Sequence, residues 1–151
     1  NIMAADNPSM MFASALYLIV HLQPGKVVWC NAGHPPPILM AEGRASYVNH
    51  DPGRSAGMVL GAMENMQYED SSFTLNPGES LLLYTDGITE AVDLEGEMYG
   101  SDRLLQFAGT QPADAPTLLR DRLYETIIQY QQGQEQFDDI TILLLSLRER
   151  K

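Results

Sequence analysis

The stretch LLLYTDGITEA, residues 81–91, joins an apolar strand to an acidic turn. Leu81, Leu82, Leu83 and Tyr84 have the length and composition of a buried strand. The run ends in Thr85-Asp86-Gly87. Asp is disfavoured inside strands, and Asp-Gly favours turns, so the strand stops here with a carboxylate at its tip. A second stretch has the reverse order. Gln136-Phe137-Asp138-Asp139 precedes ITILLLSL, Ile140 to Leu147, a second apolar strand. One core strand ends acidic and another begins acidic. If the two are antiparallel neighbours, Asp86 lies beside Asp138 or Asp139 at one sheet edge.

Carboxylates brought together repel and hold protons more tightly unless a cation sits between them. A ligand set made only of oxygen suits Mg²⁺, Mn²⁺ or Ca²⁺. Gly87 would let the backbone approach such an ion closely. The same residues also suit a solvated turn, and their spacing alone leaves both readings open.

Outward from this pair, hairpins dominate. Ser14 to Leu22 and Lys26 to Asn31 flank Pro24-Gly25, a strong turn signal. Pro35, Pro36 and Pro37 follow Ala32-Gly33-His34. They have no N–H to give a ladder, which predicts an extended or edge segment. Ile38 to Ala41 and Ala45 to Val48 flank Glu42-Gly43-Arg44, a second hairpin. Residues 50–66 carry Gly53, Gly57 and Gly61 with Met58, Met63 and Met66, the composition of a mobile flap. Gln67 to Leu75 reads as a strand closed by Asn76-Pro77-Gly78.

After residue 100 the period changes. Ser101 is the expected N-cap of a short helix with Leu104, Leu105, Phe107 and Ala108. From Asp114 to Gln132, Leu119, Leu123 and Ile127 recur every fourth residue with Tyr124 and Ile128 beside them. This predicts an amphipathic helix that Gly133 stops. The strand from Ile140 to Leu147 is apolar enough for the middle of a sheet. Many strands, two helices and one strand make an α+β chain with a mostly antiparallel sheet.

The 151 residues suit one domain. A net charge of −11 argues against nucleic acid and against an anionic membrane surface, both of which need a basic footprint. It favours cations or a basic partner, and also plain solubility. No apolar run approaches the roughly 18 residues of a membrane span, and no signal peptide is visible. The single cysteine, Cys30, lies in the apolar run KVVWCN and reads as a buried structural thiol. With no partner for an internal disulfide, it points to a reducing, cytoplasmic setting.

NAGHPPPIL (31–39), PGESLLLYTDGITEA (77–91) and QFDDITILLL (136–145), in this order, resemble the PP2C-like (PPM) metal-dependent Ser/Thr phosphatases. The likeness is strongest to the bacterial SpoIIE and RsbU-type branch, and MFASALYLIV (11–20) and GEMYG (96–100) fit it too. The resemblance implies a sandwich of two antiparallel sheets flanked by helices, with two Mn²⁺ or Mg²⁺ ions at one end. It maps metal ligands onto Asp86 and Asp138. Gly87 belongs to the same motif. Asp139 falls where many relatives have Asn and is a weaker candidate. His34 stands where eukaryotic-type relatives carry an Asp near the metals, which makes it a candidate to support the ligands from behind; a purely structural role in the Pro-rich bend is the alternative.

The family's early acidic motifs are absent from residues 1–151. The resemblance therefore implies the C-terminal portion of a phosphatase domain, its front part missing. Unpaired sheet edges would then invite self-association, with a homodimer as the candidate assembly. The implied substrate is phosphoserine or phosphothreonine on a regulatory protein of the anti-sigma-factor-antagonist type. The resemblance implies that residues 1–151 alone are inactive, because the early metal-binding motif is absent from them; a catalytically incomplete, phosphatase-like binding or regulatory module is the alternative.

Overall fold

The computed structural model describes residues 7, 11–23, 25–41, 43–48, 57–113, 115–136 and 138–147. Among these residues, apolar alternation and Gly-bearing turns produce seven strands, β1 (Ala15–Val20), β2 (Lys26–Ala32), β3 (Ile38–Ala41), β4 (Arg44–Tyr47), β5 (Ser71–Thr74), β6 (Ser80–Tyr84) and β7 (Ile142–Ser146). Two helices, α1 (Gly100–Thr110) and α2 (Pro116–Gln131), lie between β6 and β7. All pairings between these strands are antiparallel, as the hairpin signals predict. The chain divides into two compact units, Asn1–Pro36 with Asn49–Leu75, and Pro37–Val48 with Asn76–Lys151.

The first unit holds a three-stranded sheet in the order β1-β2-β5. The β1–β2 hairpin closes where Gly25 takes φ 81° and His21 N–H donates to Lys26 O at 2.8 Å. Val27 and Trp29 are buried on one side of β2. Cys30 falls on the other side, half-buried rather than buried as its apolar setting suggests. Burial, with the Asp70 charge adding to it, pushes the thiol up, which fits a structural residue rather than a nucleophile. Within 50–66, residues 50–56 lie outside the described ones. Leu60 is tied to Ala13 by two backbone bonds of 2.8 and 3.1 Å.

The second unit holds a four-stranded sheet in the order β4-β3-β6-β7. Pro37 contributes to it as an acceptor alone, its carbonyl taking Val48 N–H at 2.9 Å. Cross-strand register puts Ile38, Met40, Leu82, Tyr84, Leu144 and Ile142 on one face. That face packs against Leu104 and Ala108 of α1 and Leu119, Leu123 and Ile127 of α2. The four-residue spacing of the α2 positions is what lines them up as one buried stripe. Ser80 is fully buried at the end of β6, but its hydroxyl is satisfied by Ser146 Oγ and Ala113 O. The Tyr84 phenol is pushed well up by burial, with the nearby Tyr47 adding to it.

Four sequence expectations need correction here. β6 is an inner strand, buried along its whole length, whereas β7 lies at the edge among the described residues, with Leu143 51% exposed. Ser101 is not the N-cap of α1. Tyr99 is, because Gly100 at φ 80° enters the helix from a loop held by its own backbone bonds. The second helix starts at Pro116, where the ring suits the first turn, rather than at Asp114, which is outside the described residues. Tyr124 and Ile128 project to solvent at 52% and 44% exposure. α2 stops at Gln132 and Gly133, which take φ of 50° and 89° in turn.

Ile127 has no exposed surface and sits between α2 and the sheet. Its replacement by alanine is expected to cost about 2–5 kcal/mol, from lost burial plus the cavity left behind. Urea denaturation would read this as a lower midpoint at unchanged slope. Among the described residues no helix is long and apolar enough to cross a membrane.

Candidate metal centre

The acidic ends of β6 and β7 meet. Tyr84 pairs with Ile142 in the last rung of the ladder. Thr85 extends the contact, its N–H donating to Thr141 O at 3.2 Å. Its hydroxyl accepts from Thr141 N–H at 2.8 Å and donates to Asp139 O at 2.7 Å. Gly87, buried, lies against the same segment. A Cβ placed there would be 2.7 Å from Asp139 O and 2.9 Å from Asp138 O. Thr85 and Gly87 thus grip the Asp138–Asp139 backbone from either side of Asp86. The glycine makes room for a neighbouring main chain, where the sequence reading had it make room for an ion.

Asp86 is half-buried, while Asp138 and Asp139 are exposed. The Asp86 carbonyl, not its carboxylate, carries the turn that follows, accepting from Glu90 N–H at 2.8 Å and Thr89 Oγ1 at 3.1 Å. One Asp138 carboxylate oxygen accepts from Asp139 N–H at 2.7 Å, and Gln136 Nε2 donates to the Asp138 carbonyl.

The loop beyond Asp86 is fixed by its far end. Tyr99 N–H donates to Ala91 O at 2.8 Å, and Gly100 N–H to Thr89 O at 2.9 Å. Arg103 holds that far end, with Nη1 donating to Met98 O at 2.7 Å, Tyr99 O at 3.0 Å and Tyr130 Oη at 3.2 Å. Tyr130 in turn donates to Glu97 O at 3.1 Å and meets Tyr99 edge-to-face, ring centres 5.2 Å apart. GEMYG therefore anchors the acidic turn to both helices. The roles of Thr85 and Arg103 are absent from the sequence reading.

His34 belongs to the first unit. Its N–H donates to Asn31 Oδ1 and its carbonyl accepts from Asn31 Nδ2, both at 2.8 Å, and its Nδ1 lies 3.1 Å from Pro35 O. These contacts shape the Pro-rich bend.

The donor set fits a hard divalent cation in kind, since Asp86 and Asp138 offer only oxygen. In number it is a partial shell. Among the described residues no three His, Cys, Asp or Glu side chains converge on one position. Mg²⁺ is commonly held by one or two carboxylates with water completing the octahedron, so a pair is compatible with one ion.

Two antiparallel sheets, with helices on one of them, match the fold of PP2C-like phosphatase domains. The chain belongs to the family of Stage II sporulation protein E (SpoIIE), whose model matches residues 1–148. Protein IcfG of Synechocystis is 34% identical over 134 residues, covering 88% of this chain and 20% of IcfG. Phosphoserine phosphatase RsbP of Bacillus subtilis is 23% identical, covering 95% of this chain and 33% of RsbP. The Mn-presoaked phosphatase domain of the cell fate determinant SpoIIE from Bacillus subtilis superposes with a TM-score of 0.70 at 17% identity, over 91% of this chain and 58% of that one. The chain thus spans a fifth to a third of these curated relatives.

Proposed function

We propose that residues 1–151 form the C-terminal portion of a metal-dependent protein phosphatase domain. The complete domain would hydrolyse phosphoserine or phosphothreonine on a regulatory protein, of the anti-sigma-factor-antagonist type. Family membership and the phosphoserine phosphatase RsbP among its relatives support the reaction class. The observation that carries the reading is the grip of Thr85 and Gly87 on the Asp138–Asp139 backbone, which couples two acidic strand ends.

In this reading Asp86 and Asp138 hold Mn²⁺ or Mg²⁺, and the Mn-presoaked SpoIIE domain favours such an ion. When bound, it lowers the pKa of coordinated water and neutralises charge on phosphoryl oxygens. Thr85 and Gly87 keep the two ligand-bearing segments in register. Arg103 and Tyr130 keep the loop after Asp86 from drifting. Asp139 serves through its backbone, which receives the Thr85 hydroxyl.

A second reading, a phosphatase-like binding module, is favoured by the partial donor set among the described residues. Phosphate release from a phosphoserine peptide separates the two. Hydrolysis by the complete domain, front portion included, is expected only with Mn²⁺ or Mg²⁺, to stop with EDTA and to return on adding Mn²⁺. Phosphopeptide binding without hydrolysis at any metal concentration would favour the binding module.

A further inference from the structure

We infer that Thr85 is a positioning residue for the acidic pair. Its hydroxyl replaces its own carbonyl in the β6–β7 ladder and so locks the segment carrying Asp138 to the turn carrying Asp86. This rests on the reading of Asp86 and Asp138 as cation ligands.

After Tyr84 and Ile142, the next pair in register is Thr85 with Thr141. A hydrogen-bonded antiparallel pair exchanges two N–H···O bonds. One of them is present, from Thr85 N–H to Thr141 O. The other is diverted. The Thr85 carbonyl accepts instead from Ile88 N–H at 3.1 Å, the bond that turns the chain through Asp86 and Gly87. Thr141 N–H donates not to that carbonyl but to the Thr85 hydroxyl, at 2.8 Å, and the hydroxyl in turn donates to Asp139 O at 2.7 Å. One residue thereby continues the strand with its side chain while its backbone starts the turn.

Valine has the shape of threonine but leaves Thr141 N–H and Asp139 O unpaired, whereas serine keeps the hydroxyl. The bonds lie at an exposed strand end. Water can replace them there, so fixed geometry is lost rather than global stability.

The test measures Mn²⁺ binding to the full chain by calorimetry and exchange of the Thr141 amide by NMR. The variants are Thr85→Val, Thr85→Ser and Asp86→Asn. Thr85→Val is expected to weaken Mn²⁺ binding about 10-fold or more, the scale for groups that orient metal ligands. It should speed Thr141 exchange about 10-fold and hold the melting temperature within about 3 °C. Thr85→Ser should stay within about twofold of the unsubstituted chain on both readouts.

A Thr85→Val variant that binds Mn²⁺ normally overturns the inference, as does a Thr85→Ser variant that behaves like it. A fall in melting temperature beyond about 10 °C in Thr85→Val overturns it too, marking the hydroxyl as a determinant of the fold. If Thr85→Val binds normally while Asp86→Asn has lost Mn²⁺, the positioning role alone falls. If Asp86→Asn binds as the unsubstituted chain does, or that chain binds none, the ligand assignment fails and the inference with it.

Discussion

Asp86→Asn in the complete domain is expected to lower Mn²⁺-dependent phosphoserine hydrolysis by about 100-fold or more. Altering groups that merely orient ligands costs 10- to 100-fold, and a ligand itself lies at or beyond the top of that range. A hundredfold loss corresponds to about 2.7 kcal/mol of transition-state stabilisation. Asparagine keeps the shape of aspartate and removes its charge. The turn should survive, because it is the Asp86 carbonyl that receives Glu90 N–H and Thr89 Oγ1. Melting temperature is therefore expected to stay put while activity falls. Phosphate release across a Mn²⁺ titration checks both the rate and the metal requirement. Equal rates in the two proteins would remove Asp86 from the site.

Gly87→Ala is expected to damage fold and site together. Gly87 does not adopt a positive φ, so the strain comes from contact. The new Cβ would sit 2.7 and 2.9 Å from two backbone oxygens and 3.0 Å from a carbonyl carbon, none of which can rotate away as a side chain could. The β7 entry must shift outward, at a cost of about 1–3 kcal/mol typical of overpacking. That shift separates Asp86 from Asp138, so Mn²⁺ affinity should fall about 10-fold or more. Gly78 is a useful contrast, since a Cβ there meets nothing within 4 Å but φ is 87°. Gly78→Ala should cost stability through backbone strain and leave Mn²⁺ binding intact. Urea denaturation with Mn²⁺ calorimetry on both variants distinguishes the two causes.

The pairing of β6 with β7 was legible because two apolar runs carry acidic residues at complementary ends, and register follows from that arrangement. Both hairpins were legible from their Gly-bearing turns. So was the stripe Leu119, Leu123 and Ile127, since helical period alone aligns it. The edge position of β7 was not. Its composition matches that of an inner strand, and its place depends on pairings remote in sequence. Ser101 misled because a side-chain cap is only one way to start a helix, and Gly100 starts α1 from backbone bonds to Thr89. In the candidate site, Asp86 and Asp138 were legible as charges at strand tips. The Thr85 hydroxyl and the Arg103 hub were not, because each acts on partners that only tertiary structure brings close.

Thr85 and Asp139 are 54 positions apart, and both helices lie in between. Closing so long a loop carries an entropic cost that only non-local contacts repay. The acidic strand ends therefore come together only once β7 has paired with β6. A nascent or partly unfolded chain has no preformed cage with which to scavenge cations. If Asp86 and Asp138 bind Mn²⁺ as proposed, ligation acts on the native state alone, and by mass action excess Mn²⁺ should raise the stability of the whole second unit, not just its rim.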